Sequence, residues 1–239
     1  MRIRPSLLRF LSLFTIVQDK HLIGLGHNQV ILTFDDGPNG HHQTTERLLD
    51  VLQTRNIKAC FCVVGKNAVQ HPHTIRRIHS EGHLIAKHSQ SHGFTLVQNA
   101  ERIRQEVAAC DETLGGILGI PNYRSQAFRP PGGFLTPAVK KVVRQKGLKL
   151  VPISFYAVDT LYRVDNYQTV VNRMLQDARR KRGGIYVLHD GRDPLWGNER
   201  MPLEPKHGLD RGWIPRGVAQ IVDELTKEGM VFLNPTDFF

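Results

Sequence analysis

Short runs of apolar residues alternate with longer amphipathic stretches along most of the chain. The first apolar run covers 30–34 (VILTF), and a helical pattern follows over 44–54. Short continuous apolar runs are typical of strands buried on both faces of a sheet, and apolar residues three or four apart indicate amphipathic helices. Because the alternation continues to the end of the chain, it predicts an α/β domain with a parallel sheet.

Seven strands and six helices are predicted in this way. The strands are expected at 30–34, 59–64, 84–86, 127–129, 148–155, 184–188 and 231–233. The helices are expected at 44–54, 73–81, 99–118, 136–146, 167–180 and 218–228. The polar stretch 191–215 shows neither period, and a loop of that length in a compact domain is usually functional or disordered.

The first 27 residues have a different character. Arg2 and Arg4 precede an apolar stretch, as in the first two regions of a signal peptide, but Arg9 interrupts it and no small-residue cleavage pattern follows. We therefore expect residues 1–27 to form a helix that packs on the domain or lies on a membrane surface. Without a clear cleavable signal, we expect a cytoplasmic or membrane-surface location.

Composition narrows the classes of function. The 239 residues include 32 Lys and Arg against 22 Asp and Glu, for a formal net charge of +10. No apolar run approaches the roughly 18 residues of a membrane span, and three cysteines cannot build a disulfide framework. The basic run at 179–182 has no interleaved aromatic residues, which argues against a stacking platform for nucleic acid. The net positive charge fits an anionic lipid surface or an acidic polymer better than nucleic acid as a partner, and it also fits plain solubility with no such partner.

Charged and metal-binding side chains gather where four of the predicted strands end. They are Asp35, Asp36, His88, His92, Arg129, His189 and Asp190. In a β/α barrel the active site lies at the carboxyl ends of the strands. Four clusters at this one face therefore predict an active site there.

His88 and His92 are four positions apart, so on a helical turn they would share one face and could reach one ion. Two imidazoles and a carboxylate form a common zinc set that leaves a position for water, and Asp35 or Asp36 can supply the carboxylate. Because successive side chains of an extended segment point opposite ways, one Asp can bind the metal while the other addresses the water. This arrangement is hydrolytic, whereas an isolated Asp-Gly-Pro sequence would indicate only a turn.

Four motifs occur in a recognisable order: T-F-D-D-G-P at 33–38, H-S-Q-S-H at 88–92, R-P-P-G-G at 129–133 and L-H-D at 188–190. Together they resemble the polysaccharide deacetylase family, that is, carbohydrate esterase family 4 with its nodulation-type chitooligosaccharide deacetylase domain. The resemblance covers residues 28–239 and implies a deformed, seven-stranded, parallel (β/α) barrel in a single domain. It also implies a metal-dependent hydrolase that removes N-acetyl groups from the amino sugars of a glycan.

The resemblance implies a role for each motif residue. Asp35 would be the catalytic base, Arg129 would orient it, and His189 would protonate the leaving amine. Zinc, or another divalent ion such as cobalt or nickel, would be bound by Asp36, His88 and His92. The Gly132 N–H would stabilise the oxyanion, and Pro131 and Val187 would contact the substrate. Because the family often works outside the cytoplasm, a periplasmic or extracellular location is the alternative.

The sequence departs from the family pattern at two places. Gly132 stands where the third motif usually has an aromatic residue. The fourth motif usually reads D-x-x-D-W, but this chain has D-T-L-Y-R at 159–163, with Tyr162 and Arg163 in place of Asp and Trp. Asp159 or Asp165 could then support the acid His189.

The missing aromatic residue of the fourth motif has two candidate replacements, Trp196 and Trp213, both in the polar stretch 191–215. These departures keep two alternatives open: a C–N hydrolase acting on a non-sugar amide, and a catalytically weak carbohydrate-binding relative. Cys60 and Cys62, on the second predicted strand, are expected to be core residues and not metal ligands.

Overall fold

The computed structural model describes residues 24–93, 96–162, 164–191 and 210–239. The strands are β1 (Gln29–Asp35), β2 (Cys60–Val63), β3 (Leu84–Lys87), β4 (Ala127–Phe128), β5 (Lys149–Leu150), β6 (Phe155–Tyr156), β7 (Gly183–His189) and β8 (Val231–Phe232). The α-helices are α1 (Thr44–Thr54), α2 (Gly65–Gln70), α3 (Pro72–Ser80), α4 (Ala100–Leu118), α5 (Pro137–Lys146), α6 (Gln168–Lys181) and α7 (Ile214–Lys227).

All six predicted helices are present, most of them within one residue of the expected bounds. The last one begins earlier than expected, at Ile214, because Pro215 fits the first turn, where its missing N–H has no partner to lose. The short helix α2 was not predicted. The predicted helix over 1–27 falls almost wholly outside the described residues, and no described helix has the length and apolar content of a membrane span.

The predicted parallel α/β sheet is confirmed. Seven strands follow the order β5-β4-β3-β2-β1-β7-β6, β8 pairs with the start of β1, and every pair is parallel. The prediction of one strand over 148–155 is wrong, because this segment divides into β5 and β6. Pro152, which has no N–H to donate to a neighbouring strand, lies between them. The sheet is therefore curled, with a break between its first and last strands along this path.

Side chains of β1 alternate between the two faces of the sheet, as a strand requires. Val30, Leu32 and Phe34 pack among the helices in the main apolar cluster, whereas Thr33 and Asp35 belong to the interior face. In register, Asp35 lies between Cys62 of β2 and His189 of β7. The strands therefore bring two of the predicted site residues to one edge.

The interior of the barrel is lined by small and apolar side chains below this edge. Cys60 and Cys62 are buried free thiols on one face of β2, so their prediction as core residues is confirmed. They share a cluster with Ala86, Ala127 and Val151. The opposite end of the interior is filled by residues from the strands and the C-terminus: Leu25, Ile31, Ile185, Leu233, Phe238 and Phe239.

The close approach of β7 to β1 gives a test of this packing. Gly183 has φ +107°, and a β-carbon there would collide with the carbonyl oxygen of Gln29. We expect Gly183→Ala to lower the free energy of unfolding by about 2 kcal/mol or more, because backbone strain and the collision add together.

The matched control is Gly116→Ala. Gly116 lies in helix α4, and apart from its chain neighbours and the nearby backbone of its own helix, no described atom lies within 4 Å of the position that an alanine methyl group would take. Alanine should therefore raise the free energy of unfolding by about 0.5 kcal/mol. Chemical denaturation measures both variants. Equal effects of the two substitutions would contradict the β1–β7 geometry.

Candidate active site

The two adjacent carboxylates at the end of β1, Asp35 and Asp36, face the same imidazole. Oδ2 of Asp35 lies 3.9 Å from Nε2 of His88, and Oδ1 of Asp36 lies 3.3 Å from the same nitrogen. Asp36 has a left-handed backbone with φ +69°, which ends the extended alternation at the close of β1. The expectation that the two side chains point in opposite directions is therefore wrong, and both carboxylates reach the site.

Asp36, His88 and His92 come together as the predicted ligand group. Asp36 Oδ1 is 3.3 Å from His88 Nε2 and 3.2 Å from His92 Nε2, and all three residues are buried. The expected helical turn between the two histidines is absent from this described segment. Ser89 and His92 instead have φ values of +71° and +55°, and the Ser89 hydroxyl accepts from the His92 N–H at 2.9 Å. An irregular loop brings the imidazoles together.

The hydrogen bond of His88 shows what this group can hold. Nδ1 of His88 lies 2.7 Å from the carbonyl oxygen of Arg129, which can only accept, so Nδ1 carries a proton and, in the neutral ring, Nε2 carries the lone pair. That lone pair faces Asp36 Oδ1, a buried oxygen with no hydrogen-bond partner among the described residues. Two acceptors at this separation need a cation between them, so the donors fit a divalent metal.

Asp36 is held ionised in this setting. Burial alone would raise the pKa of its carboxyl, but the imidazoles of His92, His88 and His189 outweigh burial and hold the pKa well below its usual range. An ionised carboxylate is the form that binds a metal ion.

Arg129 fixes the orientation of Asp35. Its guanidinium donates to Asp35 Oδ1 at 2.5 Å and to the Thr33 hydroxyl at 2.8 Å. It also donates to the carbonyl oxygens of Val151 at 3.1 Å and Pro152 at 2.9 Å, in the interval between β5 and β6. Burial opposes the charge of Arg129, yet the Asp35 carboxylate raises the guanidinium pKa above its ordinary value. The predicted pairing of Arg129 with Asp35 is present in the structure.

His189 is bound by a buried carboxylate. Its Nδ1 lies 2.9 Å from Asp159 Oδ1, and its backbone N–H donates to Asp159 Oδ2 at 2.8 Å. Burial by itself would lower the pKa of His189, but the Asp159 carboxylate raises it to about 9. Of the two candidate supports, the structure places Asp159 on His189, whereas Asp165 is exposed.

The sequence interpretation missed Arg211, which completes this group. Its guanidinium binds the carboxylate of Asp159 and donates to the carbonyl oxygens of Asp159 and His189, each at 2.9 Å. Arg211 is buried, and its guanidinium lies 5.5 Å from the ring centre of Trp213. Its only signal was its place in the aperiodic polar stretch 191–215, which lies far along the chain from Asp159.

The sequence interpretation also missed Tyr156, an aromatic residue beside His189. The ring centre of Tyr156, on β6, lies 5.4 Å from that of His189, and Tyr156 is exposed. Trp213 was expected to replace the missing aromatic residue of the fourth motif. It is instead buried and stacked on Tyr167, with 5.4 Å between the ring centres. Tyr162 packs against the main apolar cluster with a guanidinium over its ring.

Two other residues named for the fourth motif lie outside the described part of the chain. They are Arg163, which stands in place of the usual Trp, and Trp196, a candidate replacement for it.

The remaining predicted site residues lie on two elements. Gly132 is exposed in a left-handed turn with φ +64°, and the next residue, Gly133, donates its N–H to the Pro130 carbonyl at 2.9 Å. Pro131 is buried in the same turn. Val187 is buried on β7, two residues before His189 and in register with Thr33.

Asp190, in the last motif, accepts hydrogen bonds from residues that follow the first motif. Its carboxylate accepts from the Thr45 hydroxyl at 2.5 Å, and its carbonyl accepts from the Asn39 side chain at 3.0 Å. A β-carbon on Gly37 would collide with this carboxylate, so the glycine of the first motif permits the close approach. Burial raises the pKa of Asp190 to about 7.

Comparison with known proteins agrees with this geometry. The sequence pattern of the polysaccharide deacetylase family matches residues 24–151. A peptidoglycan-N-acetylglucosamine deacetylase of Bacillus cereus is 26% identical over 87% of this chain and 86% of its own length. A chitooligosaccharide deacetylase of Rhizobium leguminosarum bv. trifolii is 32% identical over 72% of this chain and 75% of its own length.

A solved structure has the same fold. The family 4 acetyl xylan esterase from Clostridium thermocellum, in complex with a cobalt ion, superposes with a TM-score of 0.69 at 27% identity, covering 88% of this chain and 90% of that one. Fold and sequence relatives therefore agree, and the chain belongs to the polysaccharide deacetylase family.

Proposed function

We propose that the protein is a divalent-metal-dependent hydrolase that removes N-acetyl groups from the amino sugars of a glycan. The observation that carries the proposal is the convergence of three groups on one edge of the sheet. These are the ligand group of Asp36, His88 and His92, the Arg129-bound carboxylate of Asp35, and the Asp159-bound imidazole of His189.

The ligand group would hold zinc. Two imidazoles and one carboxylate are a set that zinc accepts with an open position, and cobalt or nickel suit similar donors. A bound ion would supply Lewis-acid polarisation and a lowered pKa of bound water. The related esterase structure contains a cobalt ion, which supports a divalent metal as the cofactor.

Asp35 acts as the general base. One of its oxygens is held by Arg129, and the other points toward the imidazole of His88, where an attacking water would lie. The fixed guanidinium keeps the carboxylate from rotating away. Asp35 therefore takes the proton of the attacking water as the bond to the acetyl carbon forms.

His189 acts as the general acid. With Nδ1 bound to Asp159, Nε2 is the nitrogen that donates. A pKa of about 9 keeps the imidazole protonated at neutral pH. When the carbon–nitrogen bond breaks, this proton goes to the amine, and acetate and a free amino sugar are released. The Gly132 N–H, in its exposed turn, would stabilise the oxyanion, with Pro131 and Val187 beside the acetyl group.

The substrate is an N-acetylated glycan. The two curated relatives are a peptidoglycan deacetylase and a chitooligosaccharide deacetylase, which share N-acetylglucosamine as the sugar. The exposed ring of Tyr156 beside His189 offers an apolar face to a sugar ring. Contact of the N-terminal segment with a membrane surface remains a prediction.

Loss of one residue of the ligand group should remove the ion that Asp36, His88 and His92 would bind. We expect His88→Ala to bind one fewer divalent ion per chain than the wild type, because a carboxylate and one imidazole hold zinc weakly. Metal analysis after dialysis against buffered zinc measures this. His79→Ala, an exposed histidine of helix α3, is the control and should bind as the wild type does. Equal metal content in His88→Ala and wild type would contradict the assignment.

Loss of the base should remove turnover and leave the metal. We expect Asp35→Asn to lower acetate release by roughly 10²–10⁴-fold while zinc content stays unchanged. Asp165→Asn is the control, because Asp165 is exposed. The assay uses N-acetylglucosamine oligomers and peptidoglycan, with acetylated xylan and a small cyclic amide as competing substrates. Full activity of Asp35→Asn, or preference for the cyclic amide, would overturn the proposal.

Loss of the carboxylate partner should change the pH profile. Asp159 raises the pKa of His189, so Asp159→Asn should lower that pKa and leave the acid deprotonated at a lower pH. The alkaline limb of kcat/KM, expected near pH 9 in the wild type, should therefore move to lower pH. An alkaline limb that stays in place while activity falls would show that Asp159 acts only on structure.

A further inference from the structure

A second group of potential metal ligands lies outside the proposed catalytic set. It consists of His41 and His42, in the loop after β1, and Asp210, in the segment before helix α7. One nitrogen from each imidazole and one carboxylate oxygen lie within 4.8 Å of one another. We name this group the rim site, and we propose that it binds a second divalent ion, of the zinc class.

The spacing of the donor atoms suits an ion. His41 Nδ1 is 3.8 Å from Asp210 Oδ1, and His42 Nε2 is 3.5 Å from Asp210 Oδ2. These separations exceed the roughly 2.7–3.2 Å of an N–H···O hydrogen bond. Bonds of about 2 Å to a tetrahedral ion place its ligand atoms roughly 3.3 Å apart, so a small inward movement accommodates one.

The donor types match those of the proposed catalytic group. Both groups consist of two imidazoles and one carboxylate, a set that leaves a fourth position open. In the rim site that position would face water, because the His42 side chain is 51% exposed while Asp210 is 13% exposed. With a single carboxylate and two nitrogen donors, the site favours zinc over calcium or magnesium, which prefer oxygen ligands.

The backbone around the rim site holds the two imidazoles in place. The Asn39 side chain accepts from the His41 N–H at 3.0 Å, and the Thr44 hydroxyl donates to the His41 carbonyl at 2.7 Å. His42 has a left-handed backbone with φ +50°, so both neighbouring rings lie on the same side, with centres 4.0 Å apart. Consecutive histidines on an extended segment would instead point in opposite directions.

The segment that carries Asp210 is also fixed. Asp210 Oδ1 accepts from the Gly212 N–H at 2.8 Å, and a β-carbon on Gly212 would lie 3.2 Å from the His42 ring. The next residue, Arg211, binds Asp159, which binds the proposed acid His189. An ion in the rim site would therefore tie the loop after β1 to the segment that supports the acid.

The experiment counts zinc in the full chain after the proposed catalytic ligand group has been disabled. Asp36→Asn removes the shared carboxylate of that group and leaves the rim site intact. We expect Asp36→Asn to bind one zinc ion per chain in zinc-buffered dialysis, and Asp36→Asn combined with His42→Ala to bind none. The control double variant, Asp36→Asn with His73→Ala, removes an exposed histidine of helix α3 and should still bind one.

A second measurement keeps the test independent of yield and folding. Zinc should raise the Tm of Asp36→Asn and of the His73 control, but not that of the double variant with His42→Ala. The proposal is overturned if Asp36→Asn binds no zinc, or if its zinc survives His42→Ala. Neither result bears on deacetylation, so failure of the rim site is distinguishable from failure of the proposed function.

Discussion

The buried guanidinium of Arg129 joins the architecture of the barrel to the proposed chemistry. The segment between β5 and β6 leaves the sheet, and the carbonyls of Val151 and Pro152 there accept hydrogen bonds from Arg129. The same group binds Asp35. A fully buried cation costs several kcal/mol to desolvate unless it is paired and hydrogen-bonded, and here the carboxylate supplies the charge and the carbonyls supply the acceptors. The same guanidinium therefore binds the segment at the break in the sheet and orients the proposed base, Asp35.

The proposed acid, His189, depends on a second buried pairing. Asp159 lies between the imidazole of His189 and the guanidinium of Arg211, so one carboxylate is shared by two cationic groups. Burial favours the neutral form of Asp159, but the two cations hold its carboxyl pKa below the ordinary value. In the proposed mechanism, Asp159, the first Asp of the fourth motif, would take the part of the missing second Asp, and Arg211 binds its carboxylate.

Much of this arrangement was predictable because its signals are local. Periodic apolar residues located the helices and most strands, and the clusters at strand ends located Asp35, His88 and His189. The division of 148–155 was not recognised, although Pro152 was visible, because the apolar pattern alone cannot show where a sheet opens. The choice between Asp159 and Asp165 depends on tertiary geometry.

Spacing alone was misleading for the ligand loop. An interval of four residues suggested a helical turn for His88 and His92, but left-handed backbone at Ser89 and His92 produces the same convergence without a helix. Such conformations are costly for residues other than glycine and persist where surrounding contacts determine them, commonly at functional sites. Arg211 was missed for a different reason, since its partner Asp159 lies on a distant part of the chain.

The loop after β1 carries more of the site than its first motif indicates. Asp35 ends β1 and Asp36 begins the loop, His41 and His42 follow, and Asn39 anchors the loop to the Asp190 carbonyl. Arg211, which binds Asp159, follows Asp210 in the segment before helix α7. The proposed base and the proposed acid lie on paired strands, with Asp35 of β1 in register with His189 of β7. The rim site brings the loop after β1 to the segment whose Arg211 binds Asp159. A cation bound by the two imidazoles and the carboxylate would strengthen this contact, and it would thereby hold Arg211 against Asp159, the carboxylate that binds His189.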